Sequence, residues 1–201
     1  MTEFKKTGRN TPFWVLGIGI AILGFSVSFA WWNSGQKAPV VPEKYSEVGG
    51  DFTLTSDHGP VSLQEFRGKV GAVFFGYTHC PDICPASLSN IAAAFDRFKK
   101  TEQEKLFGIL ISIDPDRDSP GKVSKYAAYF HSRIYGLSGS PEEITAVAKQ
   151  YMVAYQKDEA DAAGKYLLGH SSYIFIINAE GRVVDLMGHK ASPEDIARVL
   201  R

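Results

Sequence analysis

Cysteine is scarce in this chain of 201 residues: Cys80 and Cys84 are the only two. Two thiols cannot build a four-thiolate zinc site, and their density is far from that of a disulfide-stapled mini-protein, so whatever they do is local. An excess of charge of one sign is missing as well. Lys and Arg together number 22 against 22 Asp and Glu, which leaves no basic field for nucleic acid and argues against that class of partner. Internal repeats and low-complexity tracts are absent. So are a P-loop, a dinucleotide fingerprint and an H-E-x-x-H helix. Gly169-His170-Ser171 starts like a nucleophile elbow but carries Tyr173 where the second glycine is needed. Disorder is excluded by composition, since 44% of residues are apolar and 12% aromatic.

One long uncharged run is present. Residues 14–32, WVLGIGIAILGFSVSFAWW, match the roughly 20 residues that cross a bilayer core as a helix. Lys5, Lys6 and Arg9 precede the run, Trp14 sits at one edge and Trp31 and Trp32 at the other, in the manner of interfacial aromatic belts. The expected organisation is a cytoplasmic N-terminus (1–13), a transmembrane anchor (14–32), a linker rich in Ser, Gly, Pro and Val (33–48) and one globular domain outside the cytosol (49–201). A cleaved signal peptide is the rival reading, because Ser28-Phe29-Ala30 offers small residues for cleavage; the apolar run exceeds the usual ~7 to 15 residues of such a segment.

Within the domain, 52–54 and 61–63 flank the turn cluster Asp57-His58-Gly59-Pro60 and read as a hairpin. The apolar runs 70–77, 106–113 and 173–177 read as buried strands, and 183–187 as a fourth after the Glu180-Gly181 turn. Helices are expected from Pro85 onward, where Leu88, Ile91, Ala92, Phe95 and Phe98 recur at helical spacing, and over 122–130, 141–151 and 193–200. Buried strands alternating with helices predict an α/β fold with some parallel pairing, and hairpins at either end make the sheet mixed. A thioredoxin-like mixed sheet flanked by helices fits this order.

Cys80 and Cys84 stand in GYTHCPDICP, residues 76–85, between a buried strand and the start of a helix. Each precedes a proline, which biases both away from helical dihedrals and predicts a loop over 80–84 with Pro85 opening the helix. At a helix N-terminus the dipole favours thiolate. Three uses are open to the pair. A structural disulfide would close a very short loop and restrain little chain entropy; a redox dithiol would depart from the usual C-x-x-C spacing by one residue; a metal site would use two soft thiolates and an imidazole, a set suited to copper with the fewest assumptions. Of the five histidines, His79 adjoins Cys80 too closely for easy joint ligation, His58 lies in a hairpin turn, His131 at a helix end and His189 on the surface. His170 precedes the buried run 173–177, so a thioredoxin-like sheet places it on a loop facing the first strand–helix junction. The segment 113–120, with Asp114, Asp116 and Asp118, follows a buried strand at the edge where α/β sheets carry functional loops. These carboxylates are candidates for supporting the metal ligands or docking a partner, against a purely structural use as a cap and an Asp114–Arg117 ion pair.

The motif at 76–85, the segment Asp114-Pro115-Asp116-Arg117-Asp118-Ser119-Pro120 and His170-Ser171 before a strand together resemble the Sco/SenC family of membrane-anchored copper proteins. The resemblance covers the whole predicted exported domain. It implies a thioredoxin-like fold, copper bound by Cys80, Cys84 and His170, and a role in assembling the copper centre of cytochrome c oxidase. The oxidase's copper-bearing subunit, a copper donor and a thiol reductant would then be the partners. Gly169 stands where the family often has an acidic residue, and Ser119 where Thr is common. A membrane-anchored thiol:disulfide oxidoreductase acting on an oxidised copper-site precursor uses the same cysteines and does not need His170. Only a short segment precedes the anchor, too short for a typical mitochondrial presequence, so a bacterial cytoplasmic membrane with the domain on the periplasmic side is the expected location.

Overall fold

The computed structural model describes Tyr45, residues 47–162 and residues 164–201. The expected N-terminus, anchor and most of the linker lie outside the described residues. Among the described residues no helix is long and apolar enough to cross a membrane.

Strands β1 (Thr53–Ser56) and β2 (Gly59–Ser62) form the expected hairpin around Asp57-His58, and a 3₁₀ turn at Leu63–Phe66 leads on. β3 (Val70–Gly76) is followed by α1 (Ile83–Phe95), the short α2 (Lys100–Gln103), β4 (Leu106–Ser112), α3 (Pro120–Phe130), β5 (Ile134–Leu137) and α4 (Pro141–Gln150). Then come β6 (Tyr155–Lys157), β7 (Leu168–His170), β8 (Tyr173–Ile177), β9 (Val183–Gly188) and α5 (Pro193–Val199). The main sheet has the order β5-β4-β3-β8-β9. β3, β4 and β5 are parallel, whereas β8 runs antiparallel to both β3 and β9. This is the thioredoxin-like mixed sheet that the element order predicts.

The central strands read as unbroken apolar runs because both of their faces are covered. β4 is buried along its whole length, and β3 everywhere beyond Val70. Successive side chains of β3 serve opposite faces. Phe75 meets Tyr151, just past the end of α4, and Phe175 of β8, with ring centroids 5.4 and 5.8 Å away; Phe74 lies on the side of α1. Such aromatic pairs are worth about 0.5–1.5 kcal/mol beyond the area they bury. α4 starts at a capping box in which Ser140 and Glu143 exchange hydrogen bonds, with Pro141 at the first helical position.

The start of α1, and the presence of β5, β6 and β7, differ from expectation. α1 begins at Ile83, two residues before Pro85, so Cys84 is helical. A proline within the first turn forfeits only an N–H that has no intrahelical acceptor, and the bias against helix at the preceding residue is overridden there. β5 has four residues and too little pattern to stand out. β6 and β7 form a separate two-stranded ribbon with His170 opposite Tyr155. His170 is therefore the last residue of a strand rather than part of a loop.

Candidate metal centre

From Gly76 the chain turns through Tyr77, Thr78, His79 and Cys80 into α1. The turn is tight at the strand end: a Cβ on Gly76 would stand 2.8 Å from Cys84 Sγ and 2.9 Å from the Phe74 ring. Glycine is what allows the sulfur to sit down against β3. Cys84 is completely buried, Cys80 half-buried, and both are free thiols. The backbone N–H of Cys84, one of the donors that a helix start leaves unpaired, points at Cys80 Sγ at 3.4 Å.

This arrangement separates the two sulfurs chemically. The hydrogen bond from the Cys84 thiol holds the Cys80 pKa down to about 5, aided by the backbone N–H groups of Cys84 and Asp82 and the charge on His170, against the opposing effect of burial. Cys84 moves the other way, well above the ordinary thiol range, because it donates that hydrogen bond and is buried. At neutral pH the pair is a thiolate at 80 backed by a thiol at 84.

His170 comes from the other side of the chain fold. Its Nε2 lies 3.7 Å from Cys84 Sγ. Its Nδ1 faces the Ser171 carbonyl at 3.1 Å; a carbonyl only accepts, so Nδ1 carries a proton, and in the uncharged ring Nε2 turns its lone pair toward the sulfurs. The Phe74 and Tyr77 rings meet the imidazole edge-on, with centroids 6.1 and 6.0 Å away. One donor atom from each of Cys80, Cys84 and His170 lies within 4.8 Å of the other two, and among the described residues this is the one such cluster. His170 also lines an open groove of about 810 Å³ with Tyr155, Tyr173, Gly188 and His189, which leaves the imidazole reachable from solvent.

The other histidines stay outside the cluster. His58 is exposed beside Asp57. His131 follows α3, packs edge-on against Phe95, and has its pKa lowered by burial. His79 is exposed and sits near Asp118 and Lys122. His189 is half-buried on the groove rim rather than simply on the surface.

The three aspartates part company. Asp118 is fully buried. It accepts from the Thr78 backbone N–H at 2.8 Å, the Thr78 hydroxyl, and Ser112 Oγ at 2.8 Å, with Lys122 Nζ 3.3 Å away. It thus holds the turn that carries Cys80. Asp114, also buried, pairs with Arg117 and accepts from the Tyr166 hydroxyl at 2.8 Å. Asp116 is exposed, with Lys157 Nζ 3.7 Å away. Ser119 occupies the cap position of α3 without a side-chain cap hydrogen bond. Tyr77 and Thr78 lie inside the 76–85 motif without a role of their own in the sequence, and no spacing or composition signal marks Tyr166. Gly169 has open space where a side chain would project.

The SCO1/SenC family model matches residues 41–201. The chain is 40% identical over 142 residues to Protein SCO1 homolog 1, mitochondrial, of Arabidopsis thaliana, covering 70% of this chain and 42% of that one. It is 34% identical over 157 residues to Protein sco1 of Schizosaccharomyces pombe, covering 77% of this chain and 60% of that one. It spans less than two thirds of the length of either relative. Among solved structures, Bradyrhizobium japonicum ScoI with copper bound is 37% identical, with a TM-score of 0.69 over 76% of this chain and 97% of that one.

Proposed function

The chain belongs to the SCO1/SenC family, and on that premise we propose that it is a copper carrier: reduced Cys80 and Cys84, with His170, take up one copper ion as cargo and deliver it during assembly of cytochrome c oxidase, to the copper-bearing subunit. The observation that carries this reading is the convergence of two sulfurs and one imidazole nitrogen within 4.8 Å. A soft donor set of low coordination number suits Cu(I). Cys80 is already a thiolate, so only Cys84 must surrender a sulfur proton on loading. The buried Cys84 anchors the ion, while the half-exposed Cys80 and His170 are the donors that an incoming ligand can displace. Outside the cytosol the two sulfurs can close into a disulfide, which withdraws both ligands, so a reductant and a copper donor are further partners in this reading.

A second reading rests on the thiolate at Cys80 with Cys84 directly behind it, the arrangement of a thiol:disulfide oxidoreductase with an attacking and a resolving thiol. His170 separates the two. In a deletion strain under copper limitation, His170→Ala and Cys84→Ser should both fail to restore oxidase activity and oxidase copper content if the chain carries copper. A reductase tolerates His170→Ala, so full rescue by that variant would establish the second reading instead.

The carrier is further proposed to be held in a bacterial cytoplasmic membrane by residues 14–32, with the domain on the periplasmic side. The intact chain is expected to stay in membranes through an alkaline wash, and a reporter fused after Arg201 to be active only outside the cytosol. Release of a shortened chain starting near Trp31 would identify the segment as a cleaved signal.

A further inference from the structure

The three donors come from two stretches of chain, the turn into α1 and the end of β7, with Cys84 and His170 lying 86 residues apart. The sheet alone does not fix their relation, because the β6–β7 ribbon that carries His170 is no part of it. What joins them is the loop between β4 and α3. Its Asp118 grips the turn before Cys80 through Thr78. Its other end grips the ribbon at Tyr166, two residues before β7. The Tyr166 hydroxyl donates to Asp114, and Arg117 Nη1 donates to the Tyr166 carbonyl at 2.9 Å.

Tyr166 is held through its ring as well. The Arg117 guanidinium carbon stands 3.5 Å from the ring centroid and Lys157 Nζ 3.8 Å from it. Both cations stand against the ring at once, so it is gripped from two elements. The guanidinium side comes from the β4–α3 loop and the ammonium side from β6, which makes the ring a bolt between loop and ribbon. Beyond it, the Leu168 N–H donates to the Tyr77 hydroxyl at 3.1 Å, tying β7 to the residue that follows β3. Arg117 is committed to this one position: Nε to Asp114, Nη1 to Tyr166 and its plane to the ring, with Nη2 buried and without a partner. Lysine offers neither the plane nor the fork.

We propose that Tyr166, clasped by Asp114, Arg117 and Lys157, is a positioning residue that holds the His170 ribbon against the cysteine turn, and that the clasp keeps the imidazole on the copper. The second half of this statement rests on the copper-carrier reading; the first does not. Without the clasp, Cys80 and Cys84 remain in place, but Nε2 no longer has a fixed seat beside them.

Two measurements on the reduced chain test it. Hydrogen exchange without metal should show the amides of Leu168 and Ser171 exchanging at least tenfold faster in Tyr166→Leu than in the wild type. The Leu110 amide in β4 should be unchanged, which certifies an intact fold. Tyr166→Phe keeps the ring against its two cations and should recover most of the protection. With Cu(II) added, Tyr166→Leu should weaken the nitrogen hyperfine coupling and speed release to a chelator about tenfold, in the range expected when a group that orients a ligand is lost. Ribbon amides that exchange at the wild-type rate in Tyr166→Leu would overturn the clasp whatever the metal does. Faster ribbon amides with copper signals that match the wild type in both Tyr166→Leu and His170→Ala would uphold the mechanical half, overturn the half that places His170 on copper, and refute that ligand in the carrier reading.

Discussion

Cys84→Ser will bind Cu(I) at least a thousandfold more weakly than the reduced wild type, well past the ~10–100-fold that loss of a merely supporting group costs. The substitution removes one of two thiolates and replaces it with a hydroxyl, a hard and weakly basic donor for a soft ion. In the copper-carrier reading, it leaves Cys80 and His170 as a pair that cannot enclose the metal. Competition against a Cu(I) chelator measures the change, and wild-type affinity in Cys84→Ser would remove Cys84 from the site. The same titration has a defined pH dependence. Cys80, with its pKa lowered to about 5, is a thiolate at neutral pH and releases no proton to the metal there, whereas Cys84, with its pKa raised, always releases one. The sulfurs thus contribute about one tenfold loss of affinity per pH unit as pH falls toward 5, and about two per unit below it, where Cys80 is protonated too. A slope from the sulfurs that stays flat between pH 8 and 6 would contradict the buried thiol.

Asp118→Ala should destabilise the reduced, metal-free domain by about 3 kcal/mol, which for a domain of this size lowers Tm by about 6–12 °C. The carboxylate is fully buried and serves the Thr78 N–H, the Thr78 hydroxyl and Ser112 at once. Removing it leaves Ser112, itself buried, and the Thr78 N–H without their acceptor, while Lys122 remains exposed enough to turn to water. Asp118→Asn keeps one acceptor oxygen and should fall between the two. Thermal unfolding reads the result; a Tm within a degree or two of the wild type in Asp118→Ala would mean that Thr78 and Ser112 find other partners. The turn before Cys80 should loosen with the loss, because Thr78 is held to the β4–α3 loop at that point.

The parts of this molecule that were legible from sequence are those whose signal is local. Residues 70–77 and 106–113 announce central strands because burial on both faces requires unbroken apolar runs, and β3 and β4 occupy those runs to within a residue. Cys80 and Cys84 announce themselves by adjacency. His170 stands out by its place before β8, and its Nε2 faces Cys84. What could not be read depends on the assembled fold. β6 and β7 are three residues each, half polar, and exist because they pair with one another and hang from Tyr77 and Arg117. Asp114, Asp116 and Asp118 look equivalent in the string, yet two are buried with different duties and one is exposed. Tyr166 carries no mark of its position against two cations, since neither Arg117 nor Lys157 is near it in sequence.

The antiparallel insertion of β8 between β3 and β9 sets an order of events during synthesis. Until residue 173 is made, the β8 edge of β3 is open, and the two thiols lack the His170 imidazole. At about 5–20 residues per second, the 86 residues that separate Cys84 from His170 take on the order of 5–20 s. For the part of that interval in which the cysteines have left the ribosome, the nascent chain holds both sulfurs without His170. The complete three-donor seat is a property of the finished chain, closed by one of its last strands to be made.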